Sequence, residues 1–218
     1  MNDDLGASTA RAKPATSTAP FALVCAVVWL VAAAGARAVG IWLALGSVAI
    51  ALAIAIFVRD RRAAVRLLRP SVRSVVVGAV VGWSMAAATY LLYPVLARAL
   101  PFMRTDLARL YASFRAPPLI IAALALVPVI AGEELVWRGV VQTELVRRLG
   151  PWRGIPLAAL AYAVAHAPLG SPVLVVAALS CGIVWGALRA ATASLLPGLL
   201  AHVAWDMLVL LWLPLDAR

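Results

Sequence analysis

The chain has 218 residues, of which 65% are hydrophobic, and its mean hydropathy is +0.99. Soluble domains are roughly 45–50% apolar, so the composition excludes an ordinary soluble protein and predicts an integral membrane protein. The net charge of +10 comes almost entirely from arginine. Because these arginines cluster between apolar runs, we interpret them as signals of cytoplasmic loops rather than as a nucleic-acid-binding surface.

The first half of the chain predicts a tail and three membrane spans. Residues 1–20 are rich in Ala, Ser, Thr and Pro without an apolar period, which predicts a disordered cytoplasmic tail. Residues 21–36 end in AAAGARA, a pattern that fits a cleaved signal peptide or a first span; we favour the span. Further spans are predicted at 41–58 and 74–97. The segment between them, 59–73, carries six arginines, which mark the cytoplasmic side and predict a short interfacial helix.

The second half predicts an amphipathic segment followed by four more spans. Residues 98–116 are amphipathic and carry four arginines and one aspartate, and we place them on the opposite membrane surface. The four spans are predicted at 117–146, 154–168, 172–188 and 194–213. Their lengths suit helices of about 20 residues that cross a bilayer. The fold class predicted is therefore all-α, a polytopic transmembrane helical bundle with about seven spans, six to eight being possible.

A few ionisable residues lie inside these spans, where a charge costs at least about 2.5–3.5 kcal/mol. Such residues are candidate functional residues by default. Glu134 and Arg138 are four residues apart and share a helical face, so we interpret them as a structural ion pair. His202 and Asp206 share a face in the same way. The full set is Glu133, Glu134, Arg138, His166, His202 and Asp206, with Glu144 at a helix end and Arg37 at the margin of the first span.

The predicted depths of four of these residues are similar. Counted at about 1.5 Å per residue from the cytoplasmic ends of their spans, Glu133, His166, His202 and Asp206 lie roughly 12–21 Å deep. Three helices therefore bring their polar side chains to comparable levels. We predict that these four residues form one intramembrane cluster.

The residue types in this cluster suit hydrolysis. A buried carboxylate beside an imidazole acts as a general base toward water, and a second imidazole with a polar neighbour can stabilise an oxyanion. Glu133 and His166 would then activate water, while His202 and Asp206 would stabilise the tetrahedral intermediate. The alternative is a metal such as zinc held by Glu133, His166 and His202, since two histidines and a glutamate form many catalytic zinc sites. The HExxH motif of many such sites is absent.

Three motifs in this part of the chain resemble one known family. The segment EELVWR at 133–138 is similar to the EExxxR signature of the CAAX prenyl protease and bacteriocin-processing intramembrane proteases, also called the bacteriocin self-immunity family. Tyr162-Ala-Val-Ala-His166 resembles the family's FxxxH motif, and His202-Val-Ala-Trp-Asp206 resembles its HxxxN or HxxxD motif. The resemblance covers roughly residues 115–213.

The resemblance implies an all-helical intramembrane endopeptidase with a defined set of site residues. Glu133, His166, His202 and Asp206 would be catalytic, with Glu134, Arg138 and Tyr162 in support. No cofactor is expected, and the glutamate mechanism fits these residues better than a metal. Two departures from the motifs bear on roles: Tyr162 stands where Phe is usual, and Asp206, where Asn is common, would either orient His202 or be protonated.

The resemblance also divides the chain and leaves the substrate open. We expect N-terminal helices with a basic loop at 21–114, a catalytic core at 115–213 and a short tail at 214–218. The expected setting is the inner (plasma) membrane of a bacterium, with the bilayer and a membrane-embedded protein or peptide as partners and no nucleic acid. Oligomeric state is left open. The alternative hypothesis is a non-proteolytic membrane protein: an immunity factor, a scaffold or a small transporter.

Overall fold

The computed structural model describes residues 18–217, and these residues form helices without any β-strand. Most of the predicted tail, residues 1–17, lies outside the described part of the chain. The first half consists of α1 (Ala19–Val39), α2 (Ile41–Leu67), α3 (Val72–Ala99) and α4 (Phe102–Phe114). The second half consists of α5 (Leu119–Glu133), a π-helical segment (Glu134–Val141), α6 (Gln142–Leu149), α7 (Pro151–His166), a 3₁₀ turn (Ala167–Leu169), α8 (Pro172–Thr192), α9 (Leu196–Asp206), a second π-helical segment (Met207–Trp212) and a 3₁₀ turn (Leu215–Ala217).

The helical membrane bundle predicted from the sequence is confirmed. All seven predicted spans correspond to helices, and five of the described helices are long and apolar enough to cross a membrane. These are α1, α2, α3, the continuous helix Leu119–Leu149, and α8. The other two predicted spans are shorter, since α7 has 16 residues and Leu196–Trp212 is a short apolar helix. The chain is therefore a multi-pass membrane protein.

The basic segment 59–73, expected to be a loop with a short interfacial helix, is mostly helical. Helix α2 continues to Leu67, and its backbone departs from helical geometry only at Asp60 (φ −153°, ψ 79°). The Asp60 carboxylate accepts a hydrogen bond from the Ala63 N–H at 2.9 Å, which is the geometry of an N-cap residue. Asp60 therefore begins a short second helical stretch, which corresponds to the interfacial helix predicted there.

The C-terminal residues 214–218, expected to be a short tail, are packed against α4 as far as they are described. The Leu215 N–H donates to the Tyr111 hydroxyl at 3.1 Å, and that hydroxyl donates to the Val209 carbonyl at 2.6 Å. Arg115 also pairs with Asp216 at 2.6 Å. These contacts hold the end of the chain against the bundle.

Small residues allow the helices that carry the site to approach closely. On α3, a Cβ atom added to Gly82 would lie 2.8 Å from the Ala201 carbonyl of α9. On α5, one added to Gly132 would lie 2.6 Å from the Ala49 side chain of α2. Gly182 of α8 packs in the same way against Ala159 of α7. Small residues at these positions let helix backbones pack with good van der Waals contact inside a membrane, and here they bring α5, α7 and α9 around one centre.

Candidate active site

The two adjacent glutamates lie where α5 becomes π-helical. Glu133 is the last residue of α5 and Glu134 the first of the π-helical segment that runs to Val141. Both side chains are buried, at 4% and 1% exposure. A π-helical turn contains one extra residue and is frequent at functional sites.

Glu133 is the centre of a buried hydrogen-bond network. Its Oε1 atom lies 3.2 Å from Nε2 of His166, and its Oε2 atom accepts a hydrogen bond of 2.9 Å from the Tyr162 hydroxyl. His202 approaches from α9 and places its Nε2 atom 3.5 Å from the same Oε2. Side chains from α7 and α9 therefore converge on one carboxylate.

His166 contacts Glu133 through one ring nitrogen and the backbone through the other. The Nδ1 atom of His166 lies 2.8 Å from the Tyr162 carbonyl oxygen, which can only accept a hydrogen bond. The Nε2 atom lies 3.2 Å from the Oε1 atom of Glu133. The imidazole and the carboxyl group are therefore within hydrogen-bonding distance, as proton transfer between them requires.

His202 lies between carboxylates on both sides. Its Nδ1 atom is 3.1 Å from Oε1 of Glu134, and its Nε2 atom is 3.5 Å from Oδ2 of Asp206 as well as from Glu133. The ring stacks on Trp185 with centroids 3.6 Å apart and planes at 20°. With Glu134 on one edge and Trp185 on one face, the orientation of this imidazole is fixed, and its Nε2 atom is directed toward Glu133 and Asp206.

The predicted ion pair between Glu134 and Arg138 is present, but Glu134 also contacts His202. Arg138 Nη1 lies 3.3 Å from Glu134 Oε1, and Arg138 is only 2% exposed. The guanidinium lies over the Tyr162 ring at 4.4 Å and the Trp185 ring at 5.1 Å, distances at which aromatic faces attract a cation. Neither Nη atom has a hydrogen-bond partner in the part of the chain described. One carboxylate and two aromatic faces thus accommodate this buried charge.

The structure brings together all seven residues predicted for the site and leaves Glu144 outside it. Glu144 lies near the C-terminal end of the continuous helix Leu119–Leu149, away from Glu133. Its carboxylate pairs with Arg147 and Arg148 at 2.7 and 2.6 Å and accepts a hydrogen bond from the Thr18 hydroxyl. Its role is to hold helix ends together.

Five of these residues, Glu133, Tyr162, His166, His202 and Asp206, line a cavity of about 60 Å³ whose other walls are mostly apolar. A space of this size accommodates a few water molecules. Trp185 and Trp205 also line it. Trp205 donates to the Thr89 hydroxyl at 3.0 Å, and Trp185 has the added role of stacking on His202. A tryptophan and a histidine on different helices carry no sequence signal for such stacking.

The alternative metal ligands His166 and His202 both contact the Glu133 carboxylate. The Nε2 atoms of His166 and His202 lie next to different oxygens of Glu133, at 3.2 and 3.5 Å. Among residues 18–217, no group of three or more His, Cys, Asp and Glu side chains is arranged to hold a metal ion.

The fold and the site together define a class of protein: a helical membrane bundle with a buried carboxylate–imidazole centre. Residues 115–208 match the model of the family described as Type II CAAX prenyl endopeptidase, Rce1-like. The resemblance to CAAX proteases seen in the three motifs is thereby confirmed for this part of the chain. The family suggests a membrane-embedded protease that acts on a peptide substrate. No curated protein matches the chain, and no solved structure does.

Proposed function

We propose that this protein is an intramembrane endopeptidase that hydrolyses its substrate with a water molecule activated by Glu133 and His166. The observation that carries the proposal is the convergence of His166, Tyr162 and His202 on the buried carboxylate of Glu133, at 2.9–3.5 Å, on the wall of a cavity large enough for water.

The first step uses Glu133 as the general base, with His166 beside it at 3.2 Å. A water molecule in the cavity transfers a proton to the Glu133 carboxylate while its oxygen forms a bond to the scissile carbonyl carbon. The carbonyl oxygen becomes an oxyanion, which accepts a hydrogen bond from His202 Nε2–H. Asp206, whose Oδ2 atom lies 3.5 Å from that nitrogen, orients the ring.

The second step returns the proton to the leaving group. The proton taken from water moves from the Glu133–His166 pair to the amide nitrogen, the C–N bond breaks, and a carboxylic acid and an amine leave. Tyr162 keeps Glu133 Oε2 in place through its 2.9 Å hydrogen bond. Glu134 and Arg138 position His202 and take no part in proton transfer.

This mechanism uses no metal, and metal content tests that point. Protein purified with activity is expected to contain zinc far below one ion per chain and to keep its activity in the presence of a membrane-permeable chelator. Stoichiometric zinc whose removal abolishes cleavage, with activity restored by zinc alone, would replace this mechanism with metal-assisted hydrolysis.

For the membrane setting, we propose that the arginine-rich end of the bundle faces the cytoplasm of a bacterium and that the protein lies in its plasma membrane. The arginines near the ends of α2, α6 and α8 and near the starts of α3 and α7 support this orientation. The substrate would be a peptide precursor or the membrane-anchored tail of another protein. The orientation is tested with the single variants Arg62→Cys and Arg104→Cys. A membrane-impermeant thiol reagent applied to intact cells is expected to label the cysteine of Arg104→Cys and not that of Arg62→Cys.

The function is tested in cells by loss of processing. A strain lacking the gene is complemented with wild type, Glu133→Ala, His166→Ala, or the control Asp216→Ala, at matched membrane levels. Membrane proteomics is expected to show the same set of uncleaved proteins in the deletion strain and in both site variants, whereas the control restores cleavage. Normal processing by a folded Glu133→Ala variant would contradict the mechanism.

A further inference from the structure

A second, open cleft lies beside the catalytic cavity. It has a volume of about 450 Å³ and is bounded by the end of α1, by α4 and by the connection between α7 and α8. We call it the basic cleft, and its polar lining includes Arg37, Asp106 and Arg109. It is at the end of the bundle opposite the arginine-rich segment 59–73.

The basic cleft adjoins the catalytic cavity. Ile41 and Leu169 line both spaces. Leu169 is only three residues after His166, in the 3₁₀ turn that follows α7. A peptide that occupied the cavity would therefore extend into the basic cleft as it left the site on this side.

The two arginines of the basic cleft have no acidic partner in the described residues. Arg115, on the same side of the bundle, pairs with Asp216 at 2.6 Å, whereas Arg37 and Arg109 form no ion pair within residues 18–217. Asp106 is engaged elsewhere, since its Oδ2 atom accepts from the Ser171 hydroxyl at 2.6 Å and from the Val173 N–H at 3.0 Å. These bonds cap the first turn of α8 and leave the guanidinium groups available.

Arg37 is held over the turn that follows the site. A Cβ atom added to Gly170 would lie 2.3 Å from Arg37 Nη2, so the guanidinium occupies the space that a side chain would fill. Gly170 also has a φ of +81°, which favours glycine. Because Gly170 has no side chain, the Arg37 guanidinium can lie against this turn, on the side of the catalytic cavity that adjoins the basic cleft.

We infer that Arg37 and Arg109 are specificity-determining residues that bind a carboxylate of the peptide substrate, next to the bond that is cleaved. This inference rests on the proposed function. A guanidinium binds a carboxylate with paired, charge-assisted hydrogen bonds. The carboxylate is an acidic side chain or a free C-terminus, which present the same group. The position of the basic cleft beside the catalytic cavity favours substrate over a lipid phosphate as the occupant.

The inference is tested by binding, apart from cleavage. The Glu133→Gln protein, in uncharged phosphatidylcholine nanodiscs, is titrated with fluorescent apolar dodecapeptides that differ in one group: a free C-terminus, a C-terminal amide, or an amide with one internal Asp or Asn. Peptides with a carboxylate are expected to bind about 3–10-fold more tightly than their neutral counterparts. Arg37→Gln and Arg109→Gln are expected to remove this difference, and the control Arg104→Gln, on the exposed surface of α4, is expected to keep it.

The same peptides, offered to the wild type as a mixture, separate this inference from the proposed function. Cleavage without any carboxylate preference in rate or binding would overturn the inference and leave the proposed function intact. Carboxylate-dependent binding that Arg37→Gln abolishes, without cleavage of any peptide, would support the basic cleft and count against the protease. If anionic phosphatidylglycerol bound to the cleft arginines and the peptide preference were absent, the basic cleft would be a lipid site and the inference would be wrong.

Discussion

Replacing Glu134 with Gln should lower the free energy of unfolding far more than the same replacement at its neighbour Glu133. Glu134 supplies the carboxylate oxygen that lies 3.3 Å from the Arg138 guanidinium, which is 2% exposed and has no hydrogen-bond partner on either Nη atom among residues 18–217. Removing one partner of a buried ion pair costs about 3–5 kcal/mol, because the other charge is left uncompensated. Gln keeps the size of the side chain and an oxygen for His202, so the change isolates the loss of charge.

The matched control is Glu133→Gln. Its partners are imidazoles and a phenol, and an imidazole can release its proton when the carboxylate is lost, which a guanidinium cannot do. We therefore expect Glu133→Gln to cost about 1 kcal/mol, the typical net value of one hydrogen bond. The assay is equilibrium unfolding in mixed micelles by titration with dodecyl sulfate, followed by tryptophan fluorescence.

The double variant Glu134→Gln/Arg138→Met completes the test. It removes both buried charges, and replacing a buried pair by apolar groups is often neutral, so most of the lost stability should return. The pairwise coupling energy expected is about 2 kcal/mol or more. A Glu134→Gln protein as stable as the wild type, or a double variant no more stable than Glu134→Gln, would refute the view that Glu134 compensates Arg138.

Two further predictions concern helix α9 and its contact with α3. Asp206→Asn keeps an oxygen that can accept a hydrogen bond from His202, so its cleavage rate should stay within about ten-fold of the wild type. Asp206→Ala should cleave about a hundred-fold more slowly, because the imidazole is no longer positioned. Equal losses of rate in single-turnover assays would contradict an orienting role for Asp206. Gly82→Ala adds a Cβ atom 2.8 Å from the Ala201 carbonyl and should cost about 1–3 kcal/mol of stability. Gly35→Ala, where nothing lies within 4 Å of the added atom, should cost less than Gly82→Ala in the same unfolding assay, and equal costs would count against close α3–α9 packing.

The composition of the site was predictable because ionisable residues are rare in apolar helices. With so few charges in the spans, helical spacing and approximate depth were enough to group Glu133, His166, His202 and Asp206. The overall helical architecture followed from the lengths of the apolar runs in the same way. Both predictions depend on one-dimensional regularities that a helix preserves.

The pairing of side chains was not predictable from the sequence. Glu134 was assigned to Arg138 alone because both lie on one helix, but it also binds His202, a contact set by how α9 packs on α5. The π-helical segment that begins at Glu134 has no local sequence signature, since the extra residue in its turn is stabilised by packing. The close approach at Gly82 and the basic cleft likewise depend on which helices become neighbours.

The most direct test of the central claim is single-turnover cleavage by purified protein in proteoliposomes, comparing wild type with Glu133→Gln. The reporters are the membrane peptides that accumulate uncleaved in the deletion strain, and both proteins must be folded, with stabilities that differ by no more than the loss of about 1 kcal/mol expected for Glu133→Gln. The proposed mechanism predicts cleavage by the wild type, with one oxygen-18 atom from labelled water in the new carboxyl group, and a rate at least about a thousand-fold lower for Glu133→Gln, which cannot accept the proton of water. A Glu133→Gln protein that cleaves at the wild-type rate would contradict it.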